Sequence, residues 1–244
     1  MLQYRLLNSV RKKDAIHQSN IFRTKAGDVS ITMTENAIQQ SVVYIVDDDP
    51  LVLTAVKDAL ESRGYAPRTY TSAMELLNNT LPTDTGVVVT DLQMPAMNGI
   101  QLQRALIEKQ SSLSVIMLTA YADVPVAVEV MKNGAVTLIE KPFKVDRLTD
   151  EVQKAISISE RFHRERIRIR EAQDAIERLT SEELAVMDCA AKGKPNKAIS
   201  YELSLSSRTV DRRRQSALRK LGVESVSEFA VIRSTAEDRE GLLG

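Results

Sequence analysis

Apolar residues fall in short unbroken runs through the middle of the chain, at residues 42–46, 87–90, 115–118 and 136–139, with a weaker run at 66–70. Runs of this length without polar alternation predict strands buried on both faces. Amphipathic stretches lie between and after them, at residues 50–63, 72–79, 99–109, 124–133 and 145–157. Strands alternating with helices predict βαβ units, right-handed crossovers and a parallel sheet. Residues 41–157 are therefore expected to form one five-stranded α/β domain.

The rhythm changes twice more. Ala155, Ile158, Phe162, Glu165, Ile169, Ala172, Ile176 and Leu179 fall at a and d places of a heptad, and the positions between them are rich in Arg and Glu. Residues 158–179 are expected to be a linker helix that continues the preceding one. It would either pair with a copy of itself or pack on its own domain. From 180 to 234 the pattern is helical only, with apolar stretches at 183–191, 197–203, 209–221 and 226–232. Residues 1–40 show no sustained period and are expected to be a flexible leader; a second reading starts translation at Met33. Residues 235–244 read as a polar, frayed tail.

Composition narrows the classes. The 244 residues carry 33 basic and 33 acidic side chains, so neither a uniformly basic nucleic-acid coat nor an acidic tail is present. The balance conceals a split: residues 41–158 hold ten basic against fifteen acidic groups, whereas residues 180–223 hold nine against five. One cysteine, Cys189, cannot form an intramolecular disulfide, and it reads as core packing. No apolar run is long enough for a membrane span, and no signal-peptide pattern opens the chain, so a cytoplasmic protein is expected.

The chemistry gathers where strands end. Asp47, Asp48 and Asp49 follow the first strand, Asp91 the third, Thr119 the fourth and Lys141 the fifth. Open α/β sheets bind ligands beyond the carboxyl ends of their strands. Two like charges about 4 Å apart repel by about 4 kcal/mol at an effective dielectric of about 20, a cost that a hard divalent cation relieves. Taken alone, Asp47–Asp49 would be N-capping acids and Lys141 a surface lysine. Their convergence on one rim predicts a Mg²⁺-assisted phosphoryl site. Asp91 would be the nucleophile, Lys141 a point charge and Thr119 a hydrogen-bond donor.

Near the other end, a helix over 196–203 is followed by a serine turn and a second helix from Ser207 to Leu221, with Ser206 as its N-cap. The second helix carries Arg208, Arg212, Arg213, Arg214, Arg219 and Lys220 against one acid, Asp211. Positions 208, 211, 212, 215 and 219 share a face, opposite Val210, Ala217, Leu218 and Leu221. A charge run alone would be a solvated face. In a helix-turn-helix it suits the major groove.

The stretches VVYIVDDDP, VVVTDLQMPAMNGIQL, VIMLTAYAD and GAVTLIEKPF resemble the receiver domain of two-component response regulators. Residues 179–223 resemble the LuxR-type DNA-binding domain, through LT with Glu183, G-x-x-N-K-x-I-x-x-x-L, S-x-R-T-V and a closing K-L. Together they resemble the NarL/FixJ family. The resemblance implies a flavodoxin-like, doubly wound, five-stranded parallel sheet followed by a small all-α helix-turn-helix domain. It implies Asp91 as phosphoacceptor, Thr119 as switch hydroxyl and Lys141 as the invariant lysine. Mg²⁺ would be held by Asp48, Asp91 and the carbonyl of Gln93, with Asp47 as the other member of the acidic pair. A cis bond between Lys141 and Pro142 is implied too. Leu138 stands where many members carry Tyr or Phe, which leaves movement of Thr119 as the expected switch. Asp211, Arg212 and Gln215 take base-facing places; Arg208, Arg213, Arg219 and Lys220 are expected on phosphates, and Arg214 on Glu183.

The implied activity is phosphorylation-controlled DNA binding. The partners would be a sensor histidine kinase, promoter DNA, a second copy when phosphorylated, and RNA polymerase. A passive receiver scaffold is the alternative, disfavoured by the intact Asp48, Asp91, Thr119 and Lys141. No P-loop or nucleophile elbow marks an enzyme, so the chain's own chemistry would be limited to self-phosphorylation and self-dephosphorylation. His163, on a charged helix, reads as an ordinary surface histidine.

Overall fold

The computed structural model describes residues 41–121 and 123–238; the leader expected over residues 1–40, Met33 included, lies outside them. Elements follow in the order β1 (Val42–Val46), α1 (Pro50–Glu61), β2 (Arg68–Tyr70), α2 (Ala73–Asn79), β3 (Gly86–Asp91), α3 (Gly99–Glu108), β4 (Ser114–Thr119), α4 (Val124–Lys132) and β5 (Thr137–Glu140). A long helix, α5 (Val145–Glu177), leads to α6 (Ser181–Ala191), α7 (Asn196–Glu202), α8 (Ser207–Leu221) and α9 (Val226–Glu237).

The strands form one parallel sheet in the order β2-β1-β3-β4-β5. Alternate side chains feed two cores, as burial on both faces requires. Tyr44, Val46, Val88, Val115 and Met117 pack with Leu102 and Leu106 of α3. Val43, Ile45, Val87, Val89, Ile116 and Leu118 pack with Leu53 and Val56 of α1 and Leu148 and Val152 of α5. β2 is the short strand, and its Arg68 and Thr69 are exposed at the sheet edge, which explains its weaker apolar signal. Gly86 opens β3 at φ +135°, and a Cβ there would lie 1.9 Å from the Val42 carbonyl oxygen, so the first β1–β3 rung needs glycine.

Helix starts carry the expected chemistry. Asp49 caps α1 ahead of Pro50, Asn98 and Gln101 form a capping box on α3, and Thr180 and Glu183 form another on α6. Ser206 accepts from the Thr209 amide and caps α8, which ends on Gly222 at φ +70°. The first residues of the tail expected over 235–244 instead continue α9, which runs to Glu237, and residues 239–244 lie outside the described residues. Arg233, paired with both Asp188 and Glu237, ties that last turn to α6.

The linker is not a separate element. α5 is continuous over 33 residues, its first half buried against the sheet and its second half against α9. Ile169 and Ala172 are buried, Gln173 donates to the Ala236 carbonyl at 3.2 Å, and Ile176 and Leu179 join the core of Met187, Ala217 and Phe229. Ile158 and Phe162 turn toward the sheet domain. Of the two expectations for the heptad, packing within the chain is the one observed. The apolar stripe required a partner; the sheet domain supplies it for the first half of α5 and α9 for the second.

Candidate functional site

β1 and β3 deliver Asp47 and Asp91 to the same end of the sheet, and the chain after β5 brings Lys141 between them. The Lys141 Nζ donates to Asp47 Oδ2 at 2.9 Å and to Asp91 Oδ1 at 2.6 Å. Asp47 is buried, and its other oxygen accepts the Asp49 amide at 3.0 Å. Asp91 Oδ2 accepts the Gln93 amide at 2.7 Å, which turns the backbone after β3 around the carboxylate. The peptide bond from Lys141 to Pro142 is cis, and the Lys141 amide reaches the Thr119 carbonyl at 2.7 Å, extending the β4–β5 ladder by one rung. Burial acts to lower the Lys141 pKa, but the hydrogen bonds and negative charges of Asp91 and Asp47 outweigh it and raise the pKa.

The loop after Asp91 is held from below. The Gly99 amide bonds the Leu92 carbonyl at 3.0 Å, and a Cβ on Gly99 would stand 2.6 Å from the Asp91 carbonyl oxygen. The start of α3 can approach β3 this closely only without a side chain.

Asp48 lies beside the pair, exposed and without an ion-pair or hydrogen-bond partner among the described residues. Thr119 is placed at the end of β4, but its hydroxyl is turned to the backbone of Tyr121, donating to its carbonyl at 2.8 Å and accepting its amide at 3.2 Å. The structure thus unites Asp47, Asp91 and Lys141 and leaves Thr119 outside that hydrogen-bonded cluster. Tyr121 was missed in the sequence, although a hydroxyl residue bonding the backbone two positions on is a recurrent local motif. Leu138 pairs with Met117 in the β4–β5 register and packs partly buried against the core.

Among the described residues, no three or more His, Cys, Asp or Glu side chains form a closed metal cage. Mg²⁺ does not need one, since it binds through one or two carboxylates and keeps waters and phosphate oxygens as further ligands. Asp48, Asp91, Asp47 and the Gln93 carbonyl are all hard oxygen donors, and the donor set fits that ion in kind.

In the helical domain, α8 presents Arg208, Arg212, Gln215 and Arg219 exposed. Three other expected contacts are engaged by the protein. Asp211 accepts from Asn196 Nδ2 at 2.6 Å, Arg213 reaches Glu182 at 2.8 Å, and Lys220 reaches Glu183 at 2.6 Å. The pairing expected between Arg214 and Glu183 is replaced: Arg214 bonds Asn196 Oδ1 at 3.3 Å and faces Asp211 at 3.5 Å. Glu183 is taken by Lys220, by Ser216 at 2.8 Å and by the Thr180 amide at 2.9 Å. The correction follows from phase. Ser216 and Lys220 lie one helical turn apart and face α6, whereas Arg214 points toward α7. Burial pushes the Glu183 carboxyl up, but these donors and the charge of Lys220 hold it down at about 2.

The receiver-domain family of response regulators matches residues 43–153, and the luxR family of bacterial regulatory proteins matches residues 177–233. The chain is 35% identical over 187 residues to the transcriptional regulatory protein FixJ of Azorhizobium caulinodans, covering 77% of this chain and 89% of that one. It is 32% identical over 189 residues to the tetrathionate response regulatory protein TtrR of Salmonella typhimurium, covering 78% and 90%. The solved structure of response regulator StyR matches with a TM-score of 0.69 at 29% identity, over 80% of this chain and 98% of that one. Receiver domains generally use Mg²⁺ and a phosphodonor histidine kinase, and LuxR-type domains bind DNA. No helix of the described residues is long and apolar enough to cross a membrane. With a receiver fold carrying the acid–lysine pocket and a LuxR-type domain behind it, the chain belongs to the NarL/FixJ family of two-component response regulators, which are transcription regulators rather than metabolic enzymes.

Proposed function

We propose that Asp91 is the phosphoacceptor of a cytoplasmic, phosphorylation-controlled transcription regulator. The observation that carries this reading is the Lys141 ammonium 2.6 Å from Asp91, with Asp47 on its other side. A carboxylate oxygen of Asp91 attacks phosphorus, the N–P bond of the kinase's phosphohistidine breaks, and an acyl phosphate forms. Water later cleaves it, returning the carboxylate and inorganic phosphate. Mg²⁺, when bound, supplies positive charge against the phosphoryl oxygens. Asp48, Asp47, Asp91 and the Gln93 carbonyl would hold it, Asp48 being the one carboxylate that gives up no internal partner. Lys141 passes from the bare carboxylate to a phosphoryl oxygen.

Thr119 is the second element of the switch. Its hydroxyl leaves the Tyr121 carbonyl for the phosphoryl group, which releases the turn leading into α4. Along α4, Val124, Val128 and Met131 are exposed at helical spacing, and Tyr121 is exposed beside them. This apolar row is the surface for a second copy, because the heptad of α5 is already covered within the chain, by the sheet domain along its first half and by α9 along its second. A dimer sets two copies of α8 on adjacent DNA half-sites, about one helical turn apart. Arg212 and Gln215 read base edges, Arg208 and Arg219 hold phosphates, and RNA polymerase is met on the promoter. Asp211, Arg213 and Lys220 join the DNA only by leaving their protein partners.

The test uses the full chain with acetyl phosphate, and with beryllofluoride plus Mg²⁺ as a phosphoryl mimic. Labelling that disappears in Asp91→Asn, together with mimic-dependent dimerisation and DNA binding, is the expected outcome. Persistent labelling of Asp91→Asn would assign the acceptor elsewhere. No oligomeric or DNA response to the mimic would make the receiver a passive scaffold.

A further inference from the structure

Asn196 is the first residue of α7, partly buried, and it uses both ends of its amide on α8. Its Nδ2 donates to Asp211 Oδ1 at 2.6 Å, and its Oδ1 accepts from Arg214 Nη1 at 3.3 Å. Arg214 faces the same Asp211 oxygen at 3.5 Å, which closes a ring of three side chains. Chemistry fixes the orientation of the amide, since a carboxylate only accepts and a guanidinium only donates. The bond from Asn196 to Asp211 is short and charge-assisted, whereas the pair of Arg214 with Asp211 is long and partly exposed. Asn196 is therefore the stronger restraint on this carboxylate.

Asp211 is the one acid of α8, and its position shares a face with the exposed Arg208, Arg212 and Gln215. A carboxylate free on that face would accept from the amino group of cytosine. It would also repel phosphates and the acceptor edge of guanine. A carboxylate bound to α7 is withdrawn from both roles. We propose that Asn196 is a positioning residue that determines DNA specificity: it keeps Asp211 out of base readout and leaves the groove to Arg212 and Gln215. The inference rests on the DNA-binding reading above and adds to it a residue that acts through Asp211. The physical basis is competition between donors. The amide of Asn196 already holds the carboxylate in the free protein, so a base edge must break that bond before it can offer another.

The test selects binders from a randomised DNA pool with the full chain, beryllofluoride and Mg²⁺, and then measures affinities for single sites. Asn196→Ala is expected to enrich cytosine about fivefold at one position, the worth of one ordinary hydrogen bond. The same variant should bind the unsubstituted chain's preferred site more weakly. Combining Asn196→Ala with Asp211→Ala is expected to abolish the new cytosine preference. Asp211→Ala alone is expected to keep the preferred bases and to bind every site severalfold more tightly, because a negative charge is gone and Arg214 is free to meet phosphate. Thermal unfolding of each variant identifies a packing effect, which lowers affinity for all sequences together and creates no new preferred base. Asn196→Ala with an unchanged base preference would reduce Asn196 to packing and overturn the proposal. Loss of a preferred base in Asp211→Ala alone would make Asp211 a direct reader and overturn it too, and this partly exposed position keeps the test decisive if Asn196→Ala unfolds. No DNA binding by the unsubstituted chain would instead remove the DNA-binding reading itself, and the proposal with it.

Discussion

The Lys141 ammonium sits between two carboxylates, 2.6 Å from Asp91 and 2.9 Å from Asp47, and neutralises a pair that would otherwise repel inside a mostly buried pocket. Removing one partner of such an arrangement strands charge where water is scarce. Lys141→Met is expected to lower the unfolding free energy of the receiver by about 3 kcal/mol, measured by urea titration. Added Mg²⁺ should recover part of that loss, because it offers the same carboxylates a different counter-charge. The Lys141 pKa is raised, so its contribution is full below the unfolded value near 10.5 and is lost as pH rises through the higher folded value.

Glu183 gives the opposite pH dependence. Its folded pKa of about 2 lies below the ordinary 4.5, so its contribution is complete above about pH 4.5 and is lost as pH falls toward 2. After allowance for the partly exposed Lys220, the contribution is about 2 kcal/mol. Thermal unfolding of the helical domain between these limits should show that loss. Glu183→Gln should be less stable at neutral pH and largely insensitive to acid over the same range.

DNA readout should separate along α8. Arg212→Ala is expected to relax base preference at one or two positions, costing about 1–3 kcal/mol on the preferred site. Arg219→Ala should weaken binding evenly across sequences and reduce the salt slope by about one. Binding to a randomised DNA pool at two salt concentrations distinguishes them. An unchanged base preference in Arg212→Ala would remove it from direct readout.

The α4 surface predicts an oligomeric effect without a folding effect. Val128 is 45% exposed, so Val128→Asp costs little in the monomer but places a charge in the apolar row. Sedimentation with beryllofluoride and Mg²⁺ should show a monomer for the variant and a dimer for the unsubstituted chain.

Ile169 tests the assignment of the heptad. It is fully buried within the chain, so Ile169→Ala should destabilise the α5–α9 contact by about 2–5 kcal/mol. Hydrogen exchange should then rise in α9. If α5 were a dimer seam instead, the same substitution would change the association constant and leave α9 protected.

Much of this protein was legible along the chain. The unbroken apolar runs of β1, β3 and β4 announced strands covered on both sides, and acids and a lysine at strand ends announced the pocket. The turn residues Ser206 and Gly222 marked the ends of α8. These features are local, and local backbone preferences and periodicity encode them directly. β2 was faint because an edge strand needs fewer apolar side chains.

Tertiary structure decided what each face meets. A heptad stripe has the same spacing whether it seats a second copy or α9, and only the fold brings Phe229 and Ile176 into one core. Glu183 could have been paired with any of several basic residues in α8. The crossing of α6 and α8 selected Lys220, 37 positions away. Thr119 was identified from its place at a strand end, yet its bond to Tyr121 depends on the rotamer its hydroxyl adopts. Periodicity specifies which side of an element avoids water. Which surface covers it is a matter of long-range packing, and no stretch of chain carries that information alone.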